Sequence, residues 1–161
     1  MSTNAHRELA VPLDTSYLAN LRKEVLEVLR QALVSPSQAN LIALAVDEAV
    51  ANVLEHGYGC RPGGPTQDGD MVVVVLDLTP ERLTVTIRDK GSNFNPSALP
   101  EVDIEEHARA GRKNGLGIFL IRRIMDEVNY ALKENSENEL QLVKYIDEGS
   151  AKAKSSSLGP Q

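Results

Sequence analysis

Leu9, Val11 and Leu13 alternate with polar or small neighbours, the period of a strand with one buried face. Asp14 or Thr15 then caps a helix predicted to run to about Val34. Ser35-Pro36-Ser37-Gln38 combines an N-cap, a proline at the first helical position and a capping-box glutamine, so a second helix begins there. Its positions Ile42, Val46, Ala49, Val50 and Val53 share one arc and form the core-facing side, and it is predicted to stop at Gly57, before a Gly- and Pro-rich stretch over 59–69. The continuous apolar run Met71 to Leu76 lies in a segment, Met71 to Leu78, that is predicted to be a central strand covered on both faces. Leu83, Val85 and Ile87 alternate with Thr84, Thr86 and Arg88, which predicts a half-buried strand paired with that one through the turn Thr79-Pro80-Glu81.

From Lys90 to Asn114 the pattern is irregular, with Pro96, Pro100, an acidic patch (Glu101, Asp103, Glu105, Glu106) and a basic one (Arg109, Arg112, Lys113). A stretch this long inside a compact domain is a lid, a binding loop or a disordered insert. A third helix follows Gly115-Leu116-Gly117, with Leu116, Leu120 and Ile124 on one side. Strands at about Val128 to Lys133 and Leu140 to Ile146 flank a polar hairpin, Glu134 to Glu139. A single domain over 1–148 is therefore expected, with the Ser- and Lys-containing end over 149–161 disordered.

At 161 residues, 42% apolar and 25% charged, the chain is long enough for a substantial core and ordinary for a soluble domain. Its longest apolar run is far too short to span a bilayer, and MSTNAHRE lacks a signal-peptide core, so a cytoplasmic protein without a membrane segment is expected. Cys60 is the single cysteine, which excludes an internal disulfide and argues against a cysteine-based zinc site. A net charge of −6 argues against direct nucleic-acid binding and favours protein or small-molecule partners.

The second helix carries an anomaly. Glu48, Asn52 and His56 recur every four residues, and at about 100° per residue they drift only about 40° per step, forming one polar stripe. On its own such a stripe fits a solvent-facing row as well as a site. Asp89 continues the inward phase of its strand, and a carboxylate there is costly without a partner. Gly115 and Gly117 open a helix, where phosphate oxygens approach backbone N–H groups at the positive end of the dipole. An amide oxygen suits Mg²⁺, a carboxylate one turn earlier can take a proton, and an inward carboxylate can accept from an exocyclic amine such as that of adenine. Each piece alone is weak: Asp89-Lys90-Gly91 also fits a strand-ending turn, and Gly115-x-Gly117 lacks the third glycine of a dinucleotide fingerprint.

Taken in order, these segments resemble the anti-sigma-factor serine-protein kinases of bacterial partner-switching systems, within the gyrase and histidine-kinase type of ATP-binding (Bergerat) fold. The likeness spans about Leu9 to Ile146. Glu48 to Gly57 resembles the N box, Arg88-Asp89-Lys90-Gly91-Ser92-Asn93-Phe94 the first glycine box, and Asn114-Gly115-Leu116-Gly117-Ile118-Phe119-Leu120-Ile121 with Met125-Asp126-Glu127-Val128 the second. The resemblance implies an α+β two-layer sandwich whose mixed, mostly antiparallel sheet is covered on one face by about three helices. It implies ATP and Mg²⁺ as cofactors, with Asn52 as the metal ligand and Glu48 as the catalytic base. Asp89 would read the adenine amine, Gly91 and Phe94 would adjoin the base, and Gly115, Leu116 and Gly117 would serve the phosphates. Arg109, Arg112 and Lys113 are the cationic candidates for a lid closing on the terminal phosphate. The implied partners are an anti-anti-sigma protein as phosphorylated substrate and a sigma factor as sequestered target, with a possible homodimer.

Three alternatives remain open on sequence. A module of the same fold could bind nucleotide without phosphotransfer. A histidine-kinase catalytic domain is disfavoured because no phospho-acceptor helix pair precedes Leu9. A metal-dependent hydrolase using Glu48, Glu55 and His56 is disfavoured because the spacing is not His-Glu-x-x-His, and His56 equally fits an ordinary helix-end histidine.

Overall fold

The computed structural model describes residues 4–57, 71–90, 116–132 and 137–146. Five strands, β1 (Ala5–Pro12), β2 (Met71–Leu78), β3 (Arg82–Asp89), β4 (Glu127–Leu132) and β5 (Asn138–Tyr145), form one sheet in the order β1-β2-β3-β5-β4. All four pairings are antiparallel, so the mixed character expected of the sheet resolves into a purely antiparallel ladder among the described strands. Among the described residues three helices, α1 (Leu18–Leu29), α2 (Pro36–Asn52) and α3 (Leu116–Ile124), supply the second layer of an α+β sandwich.

Register decides which side chains meet the helices. Val11 pairs with Val72, Val74 with Ile87, Leu76 with Val85, and Val85 with Leu142, so one face carries an unbroken apolar field whose members join a single core cluster with the helices. Period-2 alternation in each strand is what places them there together. The expectation that β2 is covered on both faces holds only in part. Val72, Val74 and Leu76 are fully buried, whereas Val73 and Asp77 on the other face are half-buried and Met71 is 46% exposed, because the helices pack on one side.

Local signals explain the helix ends. Asp14 accepts a hydrogen bond from the Ser16 N–H and starts a 3₁₀ turn (Thr15–Tyr17) that leads into α1. α1 ends at Leu29, five residues before the expected Val34. Tight bonds from Gln31 N to Val28 O and from Ala32 N to Leu29 O close the last turn, and Ser35 is extended (φ −69°, ψ 155°), as a residue before proline prefers. Ser35 Oγ accepts from Gln38 N at 3.1 Å, the predicted cap of α2. Ile42, Val46, Ala49, Val50 and Val53 are all buried as expected, since α2 packs against both α1 and α3.

Two departures affect the site. α2 does not continue as a regular helix to Gly57 but widens into a π turn over Val53–Gly57, directly after Asn52. The buried residues of α3 are Ile118 and Ile121, with Met125 just beyond its end, whereas Leu120 and Ile124 of the row expected on one side are half-buried and the side chain of Leu116 lies outside the described residues. Close approach of the helix start to α2 at Gly117 sets that rotation of the helix. The far end of α3 is fixed by Lys144 of β5, whose Nζ donates to the Ile124 carbonyl at 2.9 Å and stands 3.7 Å from Asp126 Oδ2. Burial lowers the Lys144 pKa, while its charge sits favourably at the negative end of the helix dipole.

Candidate active site

Because α2 is the middle helix, its polar stripe faces a neighbour. A β-carbon placed on Gly117 would stand 2.6 Å from Glu48 Oε2 and 3.3 Å from Asn52 Nδ2, so the first turn of α3 rests directly on the two side chains. Glycine lets the helix start come this close with both side chains undisplaced; any β-carbon there would push the Glu48 carboxylate aside. The solvent-facing account of the stripe is therefore set aside for Glu48 and Asn52. The π turn begins at the next residue; the side chain of His56 lies outside the described residues.

Electrostatics distinguish the members. Burial raises the Glu48 pKa first, and the negative charges of Asp47 and Glu55 raise it further. A carboxylate held above its ordinary range binds a proton more strongly, which suits a base. Asp47, also raised by burial, is pulled back by Arg22, whose Nε lies 3.6 Å from its Oδ1, too far for a hydrogen bond. Asp47 thus belongs to the α1–α2 interface rather than to the stripe. Asn52 Nδ2 is buried with no hydrogen-bond partner among the described residues. An orphaned amide is expensive unless a ligand completes it, and a flip would present its oxygen instead.

Asp89 ends β3 on the helix-facing side and is 7% exposed, as the continued alternation requires. Its partner was not legible in the sequence. Asn138 stands opposite it at the start of β5 and donates from Nδ2 to Asp89 Oδ1 at 3.1 Å. Tyr130 of β4 in turn donates to Asn138 Oδ1 at 2.9 Å. Asn138 falls inside the segment expected to be a polar hairpin, and only knowledge of the β3–β5 register would have singled it out.

The structure thus brings Glu48, Asn52 and Gly117 together and buries Asp89 at a strand end with its own hydrogen-bond partner. Gly91, Asn93, Phe94, Arg109, Arg112, Lys113 and Gly115 lie outside the described residues, as do Cys60, the stretch over 95–114 expected to form a lid and the end over 149–161 expected to be disordered; of Leu116 only the backbone, at the start of α3, is described. Among the described residues no cluster of three or more His, Cys, Asp and Glu could hold a metal by itself, and no helix is long and apolar enough to cross a membrane.

A model of the histidine kinase-like ATPase domain matches residues 11–144. The chain belongs to that family. Within the histidine kinase-like ATPases, it is similar to the serine-protein kinase RsbW of Staphylococcus epidermidis, 28% identical over 149 residues that cover 90% of this chain and 89% of that protein. The RsbW of Staphylococcus aureus (strain JH9) is 27% identical over 143 residues, 86% of each chain. These relatives agree with the anti-sigma serine-kinase resemblance of the three boxes. Among solved structures, a chain of the SiaB–SiaC complex from Pseudomonas aeruginosa matches with a TM-score of 0.60 at 17% identity, covering 85% of this chain and 88% of that one, a likeness of fold.

Proposed function

We propose that the chain is an ATP-dependent serine-protein kinase of a partner-switching system, which phosphorylates an anti-anti-sigma protein and sequesters a sigma factor. The observation that carries this is the packing of Gly117, at the start of α3, on Glu48 and Asn52. A helix N-terminus suited to phosphate oxygens then lies beside a proton-accepting carboxylate and an unsatisfied amide.

The residues fit Mg·ATP. Asn52 has a buried amide with bonding capacity left over and would be the protein ligand to the metal, which keeps most of its other positions for water and phosphate. When bound, Mg²⁺ neutralises charge on the phosphates. Asp89, a buried acceptor oriented by Asn138, would receive the adenine amine. In the transfer step the substrate serine oxygen bonds to the γ-phosphorus while the bond from that phosphorus to the bridging oxygen breaks. Glu48 takes the hydroxyl proton and ADP leaves. In this reading the protein acts in the cytoplasm, binds no nucleic acid directly, and pairs with a second copy of itself.

The test is incubation with Mg·[γ-³²P]ATP and a purified anti-anti-sigma protein from the same organism. Label should appear on a serine of that protein and vanish with Glu48→Ala, while ATP binding persists. Normal ATP binding with no transfer by the unaltered chain would leave a nucleotide-binding switch module rather than a kinase.

A further inference from the structure

The hydrogen bonds Tyr130→Asn138→Asp89 run in one direction across three strands. Asp89 pairs with Asn138 in the β3–β5 ladder, and Tyr130 sits diagonally beside Asn138 on β4, opposite Leu140, on the same helix-facing side. Diagonal neighbours on a sheet are within reach of an aromatic side chain, which is how the phenol spans the gap.

Direction matters because Asn138 is only 2% exposed and its amide could be turned either way. With Tyr130 donating, the amide oxygen is occupied and the NH₂ faces Asp89. Turned over, the amide would set its oxygen against a carboxylate oxygen, two acceptors with no proton between them. The phenol is itself held protonated: burial raises its pKa first, and the charge of Asp89 adds to that. The chain of donors therefore ends on Asp89, which keeps the role of acceptor.

We propose that Tyr130 and Asn138 are positioning residues that lock Asp89 as an acceptor and so set purine selectivity, admitting a 6-amino purine and rejecting a 6-oxo purine. A purine amine donates a hydrogen bond that Asp89 can take. A 6-oxo group brings an acceptor to an acceptor, and both are left unpaired in a buried site. The proposal rests on the reading of Asp89 as the base-recognising residue.

The experiment is calorimetric titration of the full chain with Mg·ATP and with Mg·GTP, for the unaltered protein and for Tyr130→Phe, Asn138→Asp, Asn138→Ser and Asp89→Asn. Tyr130→Phe is expected to weaken ATP about fivefold, the worth of one net hydrogen bond, and to narrow the ATP-over-GTP ratio. Asn138→Asp should narrow that ratio further, and more so as the pH is lowered, because two facing carboxylates share a proton and let Asp89 donate. Asn138→Ser keeps a donor and should retain the preference for ATP. A purely structural role would lower the melting temperature and weaken both nucleotides alike. An ATP-over-GTP ratio unchanged in both Tyr130→Phe and Asn138→Asp, while Asp89→Asn loses ATP, would overturn the relay and leave the base-recognition role of Asp89 standing. Unaltered ATP affinity in Asp89→Asn would overturn that role and the relay with it. Should Tyr130→Phe fail to fold, the Asn138→Asp and Asn138→Ser pair decides alone.

Discussion

Gly117→Ala should separate catalysis from folding without altering a polar residue. The added methyl would stand 2.6 Å from Glu48 Oε2, and ordinary contact begins at 3.4 Å, so the carboxylate must retreat by about 0.8 Å. Glu48 Oε2 is the tip of a flexible side chain, and a shifted rotamer costs about 0.5–1.5 kcal/mol. Alanine recovers part of that, because glycine within a helix is less favourable by roughly 0.5–1 kcal/mol. The fold should therefore lose less than about 1 kcal/mol. A base displaced by about 1 Å costs on the order of 10²-fold in rate, or about 2.7 kcal/mol at the transition state. Asn52 Nδ2, at 3.3 Å from the new methyl, needs to give by only a few tenths of an ångström, so ATP affinity should fall less than the transfer rate. The assay is single-turnover transfer from labelled ATP to the anti-anti-sigma protein at saturating nucleotide, run beside a denaturant melt. Transfer within threefold of the unaltered rate in a folded Gly117→Ala protein would refute the placement of Glu48 as the base.

Glu48→Gln should abolish transfer, by about 10²–10⁴-fold, and yet stabilise the fold at neutral pH. The folded pKa of Glu48 is raised above its ordinary 4.5, so ionisation opposes folding above that value; the gain in melting temperature should be present at pH 7 and fade as the pH falls to 4.5, and a gain that grows in acid would contradict the burial argument. Lys144→Met removes the donor to the Ile124 carbonyl and the ion-pair partner of Asp126, and should cost about 1–3 kcal/mol in urea melts; an unchanged midpoint would show that the end of α3 is held by packing alone. Ser35→Ala removes the side-chain acceptor of the Gln38 N–H and should cost about 1 kcal/mol with no change in transfer at saturating ATP, so a loss of activity at unchanged stability would place Ser35 in an unforeseen role.

The boundaries and faces that local chemistry controls were legible in the chain. Ser35-Pro36 marks the start of α2, the alternation of Leu83, Val85 and Ile87 gives the buried face of β3, and one further step of the same alternation turns Asp89 inward. What depends on neighbours far along the chain was not. The Asn138 and Tyr130 partners of Asp89 follow from a β3–β5 register that no local pattern encodes. Likewise the rotation of α3 that buries Ile118 and Ile121 is set by contact with α2, since apolar residues occur all round that short helix. The polar stripe was visible as a spacing, but its meaning required knowing that α2 is the middle helix. The β2 run misled because a sequence of valines records tolerance for burial on both faces, whereas only the helix side supplies it in full.

The register of β1 has a consequence for biosynthesis. Its first hydrogen-bonding neighbour is β2, and 59 positions separate Pro12 from Met71, whereas β3 follows β2 after a tight turn. At about 5–20 residues per second, the amino-terminal strand leaves the ribosome roughly 3–12 s before the strand it must join. During that interval α1 and α2 can already pair, but the backbone donors and acceptors of residues 5–12 have no ladder to enter. Nascent β1 is thus open in that interval to capture by another chain, and Arg7 and Glu8 place charges of both signs within it, which discourages such pairing.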